Sequence, residues 1–137
     1  MNNITSINFL TGGNALFTVS NNLAEHYTFK VRRLGDDKPF FISLVGGKGS
    51  GHRFSYLGIF QPESNKTVVT RSSKFAVEDL PVKVFKFVVR CLAGRQTLPE
   101  GYAIQHEGRC CCCGKKLTDP ESIRLGIGPE CRRHHAL

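Results

Sequence analysis

Tryptophan is absent from this 137-residue sequence and methionine occurs once, yet ten phenylalanines and an apolar share of 40% remain. That apolar content is sufficient for a packed core, which excludes a wholly disordered chain. No hydrophobic run approaches the length of a membrane span, and the first residues lack the basic start and apolar stretch of a signal peptide. We therefore expect a cytoplasmic protein with no membrane-bound part.

Motifs of common enzymes are also missing. The sequence contains neither G-x-S-x-G, typical of α/β-hydrolases, nor H-E-x-x-H, typical of many zinc peptidases. The glycine-rich run at 46–51 lacks the register of a Walker phosphate loop and leads into a strand pattern, so we expect a hairpin loop there. These absences predict a protein that is not an enzyme.

Acidic residues are scarce, since 11 Asp and Glu stand against 19 Lys and Arg, for a formal net charge of +8. A basic surface attracts phosphate backbones and speeds encounter with acidic partners. We predict nucleic acid or a nucleoprotein as the partner. The candidate binding residues are basic side chains on strands, on a loop and on a helix: Lys30, Arg32, Arg33, Lys48, Arg53, Lys83, Lys86 and Arg90.

Period-two alternation of apolar and polar residues, bounded by Gly, Asn and Asp turns, predicts an antiparallel meander. The predicted strands are 14–19, 27–32, 40–45, 54–60 and 66–71, with a short one at 102–105. Residues 81–94 change to a helical period that opens after Asp79 and ends at Gly94. The fold class is therefore α+β, an antiparallel sheet with one packed helix.

The predicted core combines strand residues with one face of this helix. Its members are Phe17, Phe29, Val31, Phe40, Ile42, Tyr56, Phe85, Val88, Val89 and Leu92. Tyr27, Phe29 and Tyr56 alternate along the strands as core residues do, on the face away from the charges. This placement argues against an exposed aromatic platform on which bases could stack.

Six cysteines cluster towards one end of the chain, where the pattern C-x2-C-x17-C joins Cys110, Cys113 and Cys131. Two thiols separated by two residues can bind one tetrahedral ion, and Gly114 permits the tight turn this requires. Pro129 is expected to open a helix that carries Cys131 in its first turn. We predict Zn²⁺ in a zinc-ribbon or treble-clef-like module over 106–137, after a β-rich domain over 1–105.

Several side chains compete for the fourth position on the metal. His134 follows Cys131 by three residues and is slightly favoured by spacing, His135 is one residue further, and His106 precedes the cluster. Cys111 and Cys112 occupy the gap positions and are expected to point away from the ion.

The C-terminal sequence resembles a family of small, functionally uncharacterised phage and bacterial proteins. The resemblance rests on H-x-G-x-C-x-x-C-G-x-x-L-T-x-P-x-S-I…G-x-G-P-x-C, which runs from His106 to Cys131. Members carry the histidine before the first cysteine, so the resemblance implies that His106 is the fourth ligand, with His134 as the alternative. This sequence departs from the pattern in the cysteines that fill both gap positions.

These observations together predict a non-enzymatic, zinc-stabilised binding protein from a phage-like or mobile-element setting that acts on nucleic acid or a nucleoprotein complex. The alternative is a protein–protein inhibitor of a host nuclease or defence complex, of the anti-CRISPR kind. The basic composition favours the first hypothesis, and the small size keeps the second open.

Overall fold

The computed structural model describes residues 2–46 and 53–137. The strands are β1 (Asn14–Ser20), β2 (His26–Arg32), β3 (Phe40–Gly46), β4 (Arg53–Gln61), β5 (Lys66–Val68) and β6 (Ala103–His106). The helices are α1 (Leu80–Leu92) and α2 (Pro120–Leu125), with 3-10 helices at Ile7–Thr11 and Cys131–Arg133.

All six strands form one antiparallel sheet in the order β5-β4-β3-β2-β1-β6. The first five form the predicted meander, and β6 returns after α1 to pair with β1. The predicted α+β class is confirmed. The predicted strand over 66–71 is shorter than expected because its pairing with β4 ends at Val68.

α1 covers one face of the sheet, which we call the inner face. The ring of Phe85 lies 5.4 Å from Phe29 and 6.3 Å from both Phe17 and Phe60, measured between ring centroids. The four rings are fully or almost fully buried. Aromatic rings at these separations pack closely and stabilise the pair beyond the area they bury. This cluster forms the centre of the core.

Most of the predicted core residues are buried, with two exceptions. Leu92, at the end of α1, and Tyr56 are only half-buried. Tyr56 pairs with Ser43 across β3 and β4, and its ring contacts Phe41 on the face opposite α1. The pairing of β3 with β4 shifts register between Ile42 and Ser43, which interrupts the regular alternation of inward and outward side chains. The prediction for Tyr56 was wrong because a β-bulge changes which side chains point inward.

The ends of α1 agree closely with the predicted range. Asp79 is the N-cap residue and Pro81 lies in the first turn, where the missing N–H removes no helical hydrogen bond. The helix ends at Leu92, and Gly94 adopts a φ of 76° just beyond it. That left-handed conformation favours glycine, so Gly94 follows the end of the helix as expected.

Residues near the N-terminus are hydrogen-bonded to β6. The N–H of Ile4 donates to the carbonyl of Ile104 at 2.9 Å, and the N–H of His106 donates to Asn2 at 2.9 Å. The predicted boundary between 105 and 106 therefore falls inside β6, where residues near the N-terminus contact those that lead to the cysteines. None of the helices in residues 2–46 and 53–137 is long and apolar enough to cross a bilayer.

Candidate metal centre

Three thiols converge at the C-terminal end of the molecule. The Sγ atoms of Cys110, Cys113 and Cys131 all lie within 4.8 Å of one another. A tetrahedral ion with sulfur ligands at about 2.3 Å places those sulfurs about 3.8 Å apart. Small movements of exposed Cys113 would close the set around one ion. The predicted trio is therefore brought together and could hold a metal ion.

The first half of the site is a tight turn. The N–H of Cys110 donates to the carbonyl of Lys115 at 2.9 Å, and the N–H of Gly114 donates back to Cys110 at 3.0 Å. Gly114 has a φ of 76°, which glycine adopts without strain. Arg109 and Lys116 form an antiparallel bridge at the base of the turn. The turn holds Cys110 and Cys113 on the same side.

Backbone amides point at the buried thiol of Cys110. The N–H groups of Cys112 and Gly128 lie 3.4 and 3.3 Å from its sulfur. Burial would raise the pKa of Cys110, but these amides, with the N–H and thiol of Cys113, outweigh it and lower the pKa to about 7. Cys110 is therefore prepared to act as a thiolate ligand.

Cys131 behaves in the opposite way. Burial, followed by hydrogen bonding to the thiols of Cys110 and Cys113, raises the pKa of Cys131 to about 12. Its proton is thus retained while Cys110 carries negative charge. A cation bound among the three would displace that proton, and its affinity would fall as the pH is lowered.

Helix α2 supports the second half of the site, which contains Cys131. The carboxylate of Asp119 accepts from the N–H of Ser122 at 3.0 Å and caps the helix, and Gly126 ends it with a φ of 78°. The carbonyl of Gly126 accepts from the N–H of Cys111 at 3.0 Å, which ties α2 to the turn. The helix predicted from Pro129 is instead a single 3-10 turn that begins at Cys131.

His106 lies outside the thiol cluster. Its Nε2 is 2.6 Å from the carbonyl of Ile123, and its Nδ1 accepts from the N–H of Gly108 at 2.9 Å. The two bonds fit a neutral imidazole with the proton on Nε2. Burial is the main reason that the pKa of His106 is lowered. In this structure both ring nitrogens are therefore engaged in hydrogen bonds, whereas the family resemblance implies that His106 is the fourth ligand.

Two histidines and a further cysteine also line the cavity beside Cys113 and Cys131. His135 already places its Nε2 2.5 Å from the carbonyl of Asn8, whereas His134 is exposed. Cys112 is half-buried, and burial is the main reason that the pKa of its thiol is raised. Sequence reasoning set Cys112 aside as pointing away, although it faces the same cavity as the ligands.

Cys111 is the gap cysteine that does point away. Its side chain is fully buried beside Gly12, where an added Cβ would lie 2.5 Å from the Cys111 carbonyl oxygen and 2.7 Å from its sulfur. The same carbonyl accepts from the N–H of Asn14 at 2.7 Å, and the Asn14 amide donates to Cys112 at 3.2 Å. These contacts attach the cysteine turn to the start of β1.

The predicted basic residues do not form one surface. Lys30 and Arg32 alternate with buried Phe29 and Val31, so they lie on the face of the sheet opposite α1, which we call the outer face. The predicted helix residues Lys83, Lys86 and Arg90 belong to α1 and lie on the other side of the sheet. The sheet itself separates the two groups.

The remaining predicted residues are dispersed. Arg33 donates to the carbonyls of Lys38 and Asp36 within its own loop and stacks over Phe40 at 4.7 Å. Arg53 is exposed at the start of β4, and Lys48 lies outside the described residues. Arg109 was missed by sequence reasoning, although it lines a groove with Lys30. Only the pairing of β1 with both β2 and β6 brings these two residues together.

A family model described as "Family of unknown function (DUF6011)" matches residues 103–136. The matched segment contains β6, the cysteine turn, α2 and Cys131, while β1 to β5 and α1 lie outside it. No curated protein and no solved structure matches the chain. The C-terminal segment is thus similar to a small family of unknown function, with a cysteine cluster that could bind a metal.

Proposed function

We propose that this protein is a non-enzymatic, zinc-stabilised binding protein that acts on nucleic acid or a nucleoprotein complex. The supporting observation is the grouping of Lys30, Arg32 and Arg109 on the outer face of the sheet. The phage-like or mobile-element setting is part of the same proposal and is supported by the resemblance of the C-terminal motif.

The electrostatics of the outer face favour an anionic ligand. Burial, then the charges of Arg32 and Arg109, lowers the pKa of Lys30. Within the described ranges, the salt bridge is the one between Arg124 and Glu121. Lys30, Arg32 and Arg109 therefore have no carboxylate within 4.0 Å in that part of the chain. Like charges held close together without an ion-pair partner repel one another, and a phosphate backbone would relieve that repulsion.

Zn²⁺ is the metal that we propose for the cysteine cluster. Tetrahedral thiolate sites select zinc or iron, and a redox-inert ion suits a structural role. We assign the fourth position to His134, because it lines the cavity and its side chain makes no hydrogen bond within the described residues, with Cys112 as the competing donor. One ion would then join the cysteine turn to the 3-10 helix that begins at Cys131. This arrangement corresponds to a zinc-ribbon or treble-clef-like module.

The test of nucleic-acid binding uses two matched double variants. Lys30→Ala with Arg32→Ala removes two charges from the outer face, and Lys83→Ala with Lys86→Ala removes two from α1. We expect the unmodified protein to retain nucleic acid at about 50 mM salt and to lose it by about 200 mM. The outer-face variant should bind more weakly with a shallower salt dependence, while the α1 variant should be unchanged.

The outcome that contradicts the proposal is a protein that retains no nucleic acid at low salt. The inhibitor hypothesis would then be favoured if one host protein co-purified from a lysate after nuclease treatment. Equal weakening by both double variants would reject the outer face as the binding surface, since it would show a general effect of net charge.

A further inference from the structure

Aromatic rings accompany the cations on the outer face of the sheet. Phe54 is 56% exposed, and Phe41 and Tyr56 form an edge-to-face pair with ring centroids 6.0 Å apart. The ammonium of Lys30 lies 5.7 Å from the centroid of Phe54. The sequence prediction that the aromatics avoid the charged face is correct for Phe29, which is buried, and wrong for Tyr56, because β3 and β4 bring rings beside the cations of β2.

These rings are not part of the core. The core lies on the inner face, where Phe17, Phe29 and Phe85 are fully buried. An exposed phenylalanine on a strand gains little from folding, since most of its apolar surface stays in water. Leu34, 69% exposed, lies beside the same rings and adds to the apolar surface. A surface of this kind marks a place where another molecule is bound.

Two shallow grooves meet at Lys30 and Phe54. One extends towards Leu16 and Arg109, and the other towards Arg32 and Phe41. They cross β1 to β4, which spans about 14 Å at the usual strand spacing. The cations of β2 and Arg109 therefore lie on one side of this surface, and the rings of Phe41 and Phe54 on β3 and β4 lie on the other. Glu107 lies in the first groove, where its carboxylate accepts from the hydroxyl of Thr18.

This arrangement distinguishes between forms of nucleic acid. In a duplex the base faces are covered by neighbouring bases, so a flat sheet surface can reach only the phosphates. In a single strand the bases can turn outward and stack on aromatic side chains while basic residues hold the backbone. Cations alone would serve both forms, whereas exposed rings beside the cations serve the unpaired one.

We infer that the outer face of the sheet binds single-stranded nucleic acid, with bases stacked on Phe54 and Phe41 and phosphates held by Lys30, Arg32 and Arg109. The inference rests on the proposed function and specifies its ligand. Every base has an aromatic face that can stack on these rings, so little sequence preference is expected. RNA and DNA share the chemistry that is recognised here.

Fluorescence anisotropy with labelled 12-mers tests the inference. The probes are single-stranded RNA and DNA, the matching duplex, and an abasic strand of the same length and charge. Phe54→Ala should weaken binding to the single strands by about 5- to 150-fold, the range expected for loss of one stacked base. It should leave the abasic strand and the duplex unaffected, since neither offers a free base face.

Two variants separate stacking from other effects. Tyr102→Ala removes an exposed ring from the α1 side of the sheet, where it lines a cavity with Lys83 and Phe87, and should bind like the unmodified protein. Phe54→Tyr keeps an aromatic face and should retain most of the affinity, whereas Phe54→Leu should not. Equal metal content and thermal unfolding would establish that each variant is folded.

The outcomes distinguish this inference from the proposed function. If Phe54→Ala binds single strands as tightly as the unmodified protein does, and Lys30→Ala with Arg32→Ala still weakens binding, stacking is rejected and nucleic-acid binding stands. If the unmodified protein binds no probe at low salt, both are rejected. Preference for the duplex over both single strands would also overturn the inference.

Discussion

The sheet body and the C-terminal segment are stabilised by different kinds of contact. In the sheet body, rings from four strands and α1 pack together and exclude water. In residues 107–137, the buried apolar side chains are Cys110, Cys111, Leu117 and Ile127, and two of those four are cysteines. A segment with so little apolar burial depends on backbone hydrogen bonds and on its thiols.

The two regions differ in how much a bound metal would stabilise them. The sheet body has a hydrophobic core that can hold its shape without an ion. The C-terminal segment positions its thiols through a few hydrogen bonds to β1 and α2, so bound metal would supply much of its free energy of folding.

Cys113→Ser should have the largest effect on the C-terminal segment. Structural zinc contributes an apparent binding free energy of about 10–16 kcal/mol in small modules, and two thiols cannot replace three. We expect stoichiometric metal to be lost and the amides of residues 110–131 to exchange faster, while those of β1 to β4 stay protected. Elemental analysis and hydrogen exchange measure both, and Cys91→Ser in α1 is the matched control. Unchanged metal content in Cys113→Ser would reject the ligand assignment.

Phe85→Ala should produce the converse pattern. Removing this ring leaves a cavity among Phe17, Phe29 and Phe60 and should lower the free energy of unfolding by about 3–5 kcal/mol. Urea unfolding measures the loss, and metal content should remain stoichiometric in the folded protein. If metal were lost together with the core, the two regions would fold as one unit and the contrast would fail.

Gly12→Ala tests the contact between the two regions. The added Cβ would overlap the Cys111 backbone, which cannot move without disturbing the cysteine turn. We expect a loss of about 1–3 kcal/mol in the free energy of unfolding together with weaker metal binding. Gly46→Ala is the control, since a Cβ there meets no atom of residues 2–46 and 53–137 within 4 Å. Similar stabilities for the two variants would contradict the observed packing.

His106→Ala and His134→Ala should separate structure from ligation. His106→Ala should keep its metal and lose about 1–3 kcal/mol of stability, because the Ile123 carbonyl and the Gly108 N–H lose their partner. His134→Ala should keep its stability in excess metal and bind that metal more weakly in a competition assay with a chelator. The reverse result would restore His106 as the fourth ligand.

The pH dependence of His106 has a definite sign. Its pKa is lowered on folding, so the unfolded chain binds a proton first as the pH falls. Its contribution to stability is complete above the ordinary histidine pKa of about 6.5 and is lost as the pH drops from there through the folded value. Between pH 7.5 and 5.5, the unmodified protein should therefore lose more stability than His106→Ala does. The thiol contribution is common to both and cancels in this comparison.

Local patterns predicted the elements well, for identifiable reasons. Alternation in 27–32 and 40–45 matches β2 and β3 because one face of each strand is buried, and Asp79 with Pro81 marks the start of α1 because those residues suit a helix N-terminus. Tyr56 and Phe54 could not be placed in this way, since the bulge that reorients β4 follows from pairing with β3.

The cysteine spacing by itself determined the thiol trio, because two-residue gaps and a glycine turn restrict which sulfurs can meet. The role of His106 was decided by tertiary structure: α2 presents the Ile123 carbonyl to its ring, a contact between residues 17 positions apart. The outer face was likewise decided by strand pairing, which sets Lys30 beside Phe54 and separates both from α1. Local sequence specifies which elements form, whereas long-range packing specifies which side chains share a surface.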